Sequence, residues 1–405
     1  MSLLDSLADS RCWEDFYEYK TSLACPKAFA KELRAFIDAR AYLPVCAAIR
    51  RGERFPLPRR AVIGKLGSQK KRVVYTYPPA ENTVLKLLTW LLLRQYDGLF
   101  DDGLYSFRPG RSAKDAVRRL TAVPDVGQMW SYKADVSNYF NSVPIPRLLP
   151  LLEEALGADP PLLAFLRALL EESAVLDGAA VLTEEKGIMA GTPLASFYAN
   201  LYLRALDRHF AAAGVPYARY SDDIILFAPD RAAAEAHAAF LRAFLAERGL
   251  ALNPEKERFA APEEGWTFLG FSWRRGVIDI APATVRKLKQ KMRRKTRALL
   301  RWSARNEVDG ARAAAAFLRV FNRKLLEGPA DNELTWSRWF FPVINTTESL
   351  RLIDRYAQDC VRTLVSGRRT KARFNVRYDD LKQLGYRSLV HAYYAFAADA
   401  DAARP

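Results

Sequence analysis

Over the first 55 positions apolar and aromatic residues recur at helical spacing, with Trp13, Phe16, Leu33, Phe36 and Ile37 marking the buried stripe. The two prolines of Arg54-Phe-Pro-Leu-Pro58 forbid a helix interior there. Ala61-Val-Ile63 and Arg72-Val-Val-Tyr-Thr-Tyr77 read as strands joined by the turn Gly64-Lys-Leu-Gly-Ser-Gln-Lys-Lys71, and Pro78-Pro79 ends the second. A helix follows over residues 81–96. Further along, the pattern predicts a short strand over Trp130–Val136, a helix over Pro160–Leu176, and one long helix over Ile188–Phe210, entered through Gly187 and Gly191-Thr-Pro193. Tyr217–Ala228 reads as strand–turn–strand, and Arg231–Arg248 as an alanine-rich helix stopped by Gly249. Trp266–Trp273 reads as one strand paired with Val277–Ile280 across Arg274-Arg-Gly276. From Ala281 the pattern is helical and basic. There is no internal repeat. Strands and helices that do not strictly alternate predict an α+β fold, not a doubly wound sheet.

A chain of 405 residues suggests two or three domains, and 50% hydrophobic with 27% charged residues excludes a mainly disordered one. The longest apolar stretch, Val84 to Leu93, is ten residues and contains Lys86, too short to cross a bilayer. Met1 to Ser10 carries Asp5 and Asp9 and no basic residue, unlike a secretory signal, so the expectation is a soluble cytoplasmic protein with no membrane partner. The four cysteines form no C-x-x-C pair and the three histidines are scattered, which argues against a disulfide scaffold or zinc site and for buried free thiols. Charge changes the picture more. The chain carries 62 basic and 46 acidic residues, and 26 of the basic against 12 of the acidic lie in residues 281–405. Arg286 to Arg305 holds ten basic residues and no acid. A positive surface this concentrated suits a polyanion.

The sharpest local feature is Tyr220-Ser-Asp-Asp223, followed by Ile224-Ile-Leu-Phe227. Adjacent carboxylates at the tip of an apolar hairpin repel and lose solvent, and a divalent cation removes both costs. Asp135 ends the predicted strand from Trp130 and supplies a third carboxylate from a second element. A pair of Mg²⁺ ions about 3.5–4 Å apart needs such bridging carboxylates.

In chain order stand Ser106-Phe-Arg-Pro-Gly-Arg-Ser112, Asp135-Val-Ser-Asn-Tyr-Phe140, Gly187-Ile-Met-Ala-Gly-Thr-Pro-Leu-Ala-Ser196, Tyr220-Ser-Asp-Asp223, Leu252-Asn-Pro-Glu-Lys256 and Phe268-Leu-Gly-Phe-Ser272. Together they resemble the successive motifs of a bacterial reverse transcriptase. The similar types are the group II intron, diversity-generating and standalone defence-associated enzymes, and the likeness covers roughly residues 60–275. It implies a right-hand polymerase fold of fingers, palm and thumb with helical N- and C-terminal extensions. The implied divisions are a helical extension over 1–58, fingers and palm over 59–275, and a basic thumb and RNA-binding region over 276–405.

The resemblance also implies roles. Asp135 and Asp222 become the principal metal ligands, with Asp223 supporting and Val136 beside them at both metal and nucleotide. One ion would activate a primer 3′-hydroxyl and the other stabilise the leaving pyrophosphate. Phe140 matches the ring that excludes a ribonucleotide 2′-hydroxyl. Lys65 and Arg72 fall where a fingers hairpin grips the triphosphate, with Lys71 or Arg72 pointing inward, and Gly191 lets the backbone approach the nucleotide closely. Arg108 and Arg111 either contact the template backbone or brace the fingers. Lys256 is either a general acid near the pyrophosphate or a surface lysine at a turn. Phe268–Trp273 matches the primer grip. Arg286, Lys289, Arg293 and Arg297, at spacings of three and four, would follow a phosphate backbone as a thumb helix. Trp336–Phe341 and Arg368–Arg373 interleave basic and aromatic residues, as structured-RNA contacts do. One departure stands out: Met189-Ala-Gly191 replaces the Pro-Gln-Gly of many relatives, and Ala190 offers no side-chain hydrogen bond.

The implied activity is RNA-directed DNA synthesis with Mg²⁺ and deoxynucleoside triphosphates. The implied partners are a structured non-coding RNA template and a DNA primer or product, in a setting of antiphage defence. Alternatives are an untemplated or protein-primed DNA polymerase, and a non-catalytic RNA-binding or splicing-assistance protein on the same fold.

Overall fold

The computed structural model describes residues 2–22, 25–64, 71–184, 187–327 and 335–402. The chain divides after Pro262 into two compact units.

The first unit opens with helices Ser10–Ser22, Lys27–Asp38 and Leu43–Arg50. Trp13 and Phe16 lie one turn apart on the first helix and are fully buried, with Trp13 stacked on Tyr42 at 4.7 Å between ring centroids. The helix Pro79–Gln95 is apolar on nearly every face and buries Val84, Leu85, Leu87, Leu88 and Leu92, so it runs through the core. The strands of this unit are β1 (Arg59–Gly64), β2 (Lys71–Thr76), β3 (Trp130–Asp135), β4 (Ala174–Asp177), β5 (Ala180–Thr183), β6 (Tyr217–Tyr220), β7 (Asp223–Ala228) and β8 (Arg258–Ala260). They form two four-stranded sheets.

One sheet has the order β2-β1-β4-β5, with β1 and β4 parallel. Arg60 ties it across, meeting Asp177 at 2.9 Å and Glu184 at 3.1 Å. The other is antiparallel, in the order β6-β7-β3-β8. Its central strand β7 is buried from Ile224 through Ala228, covered by the helix Arg231–Glu247, which explains the unbroken apolar run. Register in this sheet places Asp135 directly opposite Asp223.

The second unit carries a three-stranded sheet of β9 (Trp266–Phe268), β10 (Phe271–Arg274) and β11 (Val277–Ile280). Helices Pro282–Arg305, Gly310–Leu325, Glu348–Ser366 and Leu389–Ala402 form the bulk of the rest. Pro282–Arg305 buries Val285, Met292, Thr296 and Leu299, one stripe at helical spacing, and packs it on Glu348–Ser366. Arg286, Arg293 and Arg297 are exposed on its other faces. Asp354 is buried and caps the last helix, accepting from Ser388 Oγ at 2.7 Å and Leu389 N at 2.9 Å.

Three predicted elements differ. The helix from Pro160 ends at Glu171, and Ala174–Asp177 pairs as β4 with β5 around Gly178, where the left-handed turn makes a hairpin. The single helix over Ile188–Phe210 is an irregular approach followed by Ala195–Tyr202 and Arg204–Ala212. Positive φ at Met189 and Gly191, then Pro193, keep the approach out of the helix. Trp266–Trp273 is a hairpin, because Leu269 and Gly270 both take positive φ. Of the cysteines, Cys46 and Cys360 are buried, whereas Cys12 and Cys25 are partly exposed; all are free thiols. Among the described residues no helix is long and apolar enough to cross a membrane.

Candidate active site

Antiparallel pairing builds the site. Strand β3 ends at Asp135 and β7 begins at Asp223, opposite it. The two-residue turn Ser221-Asp222 joins β6 to β7 and places Asp222 beside both. Val136 N donates to Asp222 O at 2.8 Å, and Asn253 N to Asp135 O at 2.8 Å, so the main chain is tied on both sides. One carboxylate oxygen from each of Asp135, Asp222 and Asp223 lies within 4.8 Å of the others. Asp135 is buried and the other two are partly so.

Three converging carboxylates are a hard, all-oxygen donor set, which fits Mg²⁺ better than a softer metal. Val136 is buried, so only its main chain is available to a ligand. Burial, then the neighbouring Asp135 and Asp223, hold the Asp222 carboxyl above its ordinary value. Two lysines offset part of the negative charge. Lys256 Nζ meets Asp135 Oδ2 at 2.5 Å, and Lys133 Nζ is 3.6 Å from Asp223 Oδ1. Lys256 is thus an exposed lysine, its side chain 48% open to solvent, whose ammonium is paired with the carboxylate cluster.

A second wall is built on the turn that follows β3. Phe140 is half-buried on the short turn Tyr139–Asn141, its ring edge-on to Tyr139. Its carbonyl accepts from Ile188 N at 2.7 Å. Asn141 Oδ1 accepts from Ala190 N at 3.2 Å, and Tyr75 N donates to Ala190 O at 2.8 Å. The segment that carries Ala190 and Gly191 is thus clamped between β2 and the Phe140 turn. A Cβ on Gly191 would lie 3.1 Å from Tyr75 O in a residue at φ +99°, so close backbone approach requires glycine here.

The remaining candidates fall into place unevenly. Arg72 is exposed, opposite Ile63 in the β1–β2 hairpin, and Lys71 is exposed beside it; Lys65 lies outside the described residues. Arg108 takes the bracing alternative and does not reach out to a nucleic-acid backbone. It is buried, with Nε 2.7 Å from Asp97 Oδ1, Nη1 2.7 Å from Asp101 O and Nη2 3.0 Å from Asp97 Oδ2. Arg111 donates from Nη2 to Asp102 Oδ1 at 2.5 Å and remains partly exposed. In the second unit, Lys289 is half-buried with Nζ 5.7 Å from the Tyr356 ring.

Sequence reasoning did not single out Asn141, Asn200, Asp207 or Arg219. A charged Arg219 between Tyr217-Ala218 and Tyr220, in a strand otherwise apolar, was the available signal. Its partner Asp207 is twelve residues away on another element.

Residues 63–273, just over half of the chain, match the family described as reverse transcriptase (RNA-dependent DNA polymerase). The chain belongs to that family, with the mixed α/β right-hand polymerase fold. It is similar to Retron Mx65 reverse transcriptase of Myxococcus xanthus, a bacterial enzyme, at 30% identity over 242 residues, which cover 55% of this chain and 52% of that protein. An uncharacterized 91 kDa protein in cob intron of Schizosaccharomyces pombe is 30% identical over 156 residues, 37% of this chain and 18% of that protein. The chain thus spans about half the length of the first and a smaller part of the second. Among solved structures, apo telomerase from Candida tropicalis superposes with a TM-score of 0.46 at 10% identity, over 84% of this chain and 61% of that one, a loose likeness.

Proposed function

We propose that this protein is an RNA-directed DNA polymerase, and the convergence of Asp135, Asp222 and Asp223 on one point carries that reading. These carboxylates, with the Val136 main chain, would hold two Mg²⁺ ions, which supply activation of a primer 3′-hydroxyl and neutralisation of the leaving pyrophosphate. Lys256, bound to Asp135, would move a proton toward the leaving group. By the family resemblance Lys65 and Arg72 would grip the triphosphate, with Lys71 or Arg72 on β2 the inward-pointing cation. Phe140 and Gly191 shape the sugar pocket. The fingers and palm lie within residues 59–275, and the basic helices beyond act as thumb and RNA-binding region.

Phe140→Ala is expected to raise ribonucleotide incorporation relative to deoxynucleotide incorporation roughly tenfold or more, because the ring excludes a single hydroxyl. Primer extension with each substrate measures it; an unchanged ratio would remove Phe140 from the pocket.

The RNA partner is supported by the second unit. A groove of about 370 Å³ there is lined by Lys289, Arg355, Arg362, Tyr356 and Phe374, together with Leu352, Gln358 and one acid, Asp359, which is paired with Arg373. Arg362 and Arg373 lie 5.8 and 4.5 Å from the Phe374 ring, which is 51% exposed. Cations beside open aromatic faces suit unpaired bases and their phosphates. Replacing Lys289, Arg355 and Arg362 by alanine together should lower the slope of log affinity for RNA against log salt by about 2. A slope that stays put would mean that RNA bypasses the groove. A dedicated non-coding RNA in antiphage defence completes the proposal and rests on family resemblance and the basic second unit.

Ala190 favours a second reading, untemplated synthesis, because its methyl side chain can offer no hydrogen bond to a nucleotide or template base. One experiment separates the readings: sequence the RNA and new DNA that copurify with the protein from cells, beside an Asp222→Ala, Asp223→Ala variant. DNA complementary to a bound RNA and lost in the variant supports templated synthesis. DNA matching no RNA supports the second reading, and bound RNA with no DNA in either sample supports an RNA-binding protein.

A further inference from the structure

The turn that carries Asp222 is strained. Ser221 has φ +63°, in a two-residue hairpin turn whose first central position ordinarily takes glycine. A side chain in that region costs about 1 kcal/mol or more and persists only when its surroundings hold it there.

What holds it is a closed polar cluster beneath the turn. Ser221 N donates to Ser106 Oγ at 2.9 Å, and Arg219 Nη1 donates to Ser221 O at 3.3 Å. Both main-chain polar groups of the strained residue therefore end on side chains from below. Ser106 Oγ in turn donates to Asn200 Oδ1 at 3.2 Å, while Asn200 Nδ2 donates to Ser106 O at 2.9 Å. Arg219 Nη2 reaches Asn200 O at 3.3 Å. Its guanidinium also forks onto Asp207, with Nε on Oδ1 at 2.7 Å and Nη2 on Oδ2 at 2.5 Å, and Tyr217 OH donates to the same Oδ1 at 2.9 Å. Ser106, Asn200 and Arg219 are 0% exposed and Asp207 1%. The four come from the loop after Leu104, the two helices Ala195–Tyr202 and Arg204–Ala212, and β6. A dry network with paired members is stiff, since each bond is strong where water cannot compete.

We propose that Ser106, Asn200, Asp207 and Arg219 are positioning residues: they hold the Ser221-Asp222 turn in its left-handed form and so set where the Asp222 carboxylate stands relative to Asp135. The inference rests on the triad as a metal site. The side-chain hydrogen bonds of the four run to one another, to Tyr217 and to the Ser221 main chain, so their action on Asp222 is geometric.

The test is Ser106→Ala, with Ser106→Cys as the milder variant of similar volume and weaker hydrogen bonding. Two readouts are taken on the full chain: Mn²⁺ binding by calorimetry, with no nucleic acid present, and primer extension as a function of Mg²⁺. Expected are a loss of Mn²⁺ affinity of about tenfold and a matching rise in the Mg²⁺ needed for half-maximal rate, with folded content by circular dichroism retained. Adding Ser221→Gly to Ser106→Ala should recover part of the affinity, because glycine takes positive φ without help. Wild-type Mn²⁺ affinity in both Ser106 variants would overturn the proposal, as would a loss that Ser221→Gly leaves untouched and that follows unfolding. If wild-type protein binds Mn²⁺ but makes no DNA, the polymerase reading fails while the positioning cluster stands on the binding data.

Discussion

Asp222→Asn is expected to lower DNA synthesis roughly a thousandfold or more while making the metal-free protein more stable. The rate falls because the amide cannot replace a charged ligand in the three-carboxylate cluster. Stability rises because the same cluster is strained without a cation. Burial and the carboxylates of Asp135 and Asp223 raise the Asp222 pKa in the folded state above its unfolded value of about 3.9. The folded state thus binds this proton more tightly than the unfolded one. Below the unfolded pKa both states are protonated and the carboxyl costs nothing. As pH rises through the folded pKa the ionised group is forced on the cluster, and that share of stability is lost. Denaturant melts in EDTA should therefore show wild type and Asp222→Asn converging near pH 3, with the variant becoming the more stable of the two toward neutrality. Adding Mg²⁺ should stabilise the wild type more than the variant. A wild type more stable than Asp222→Asn in EDTA at neutral pH would contradict an electrostatically loaded triad.

Asp207→Ala is expected to destabilise the fold by about 3–5 kcal/mol, the largest stability effect among these substitutions. Arg219 and Asp207 have no exposed side-chain surface. Removing the carboxylate leaves a guanidinium buried against Asn200 O and Ser221 O, with its main counterion gone. The double variant Asp207→Ala, Arg219→Met should recover a substantial part of that loss, because no charge is then stranded. The comparison is made by urea denaturation of the two singles and the double. A single variant within about 1 kcal/mol of wild type would mean that the pair is not what supports the region under the turn.

Much of the architecture was legible from pattern. The strands around Trp130 and Tyr217 and the helix stopped by Gly249 follow from alternation, apolar run and helix-stop chemistry. Two of the three failures share a cause. A helix-compatible apolar string says nothing of a positive φ inside it, so the long helix over Ile188–Phe210 split, and Trp266–Trp273 folded back on itself at Leu269-Gly270. Arg108 shows the same limit for function. An arginine in a motif reads equally as a reaching or a bracing residue, and only its hydrogen bonds to Asp97 and Asp101 choose.

By itself the sequence determined the three carboxylates, the order of the motifs, the basic final third and the mixed fold, because each is a matter of residue type and local spacing. Tertiary structure alone decided which groups hold the Ser221 turn, which lysine meets Asp135, and how Ala190 is clamped. Apart from Arg219 on Ser221 O, two positions away, those contacts join residues 12 to 121 positions apart. Their partners are selected by strand register and by the demand that buried polar groups be paired, which no local window of sequence contains.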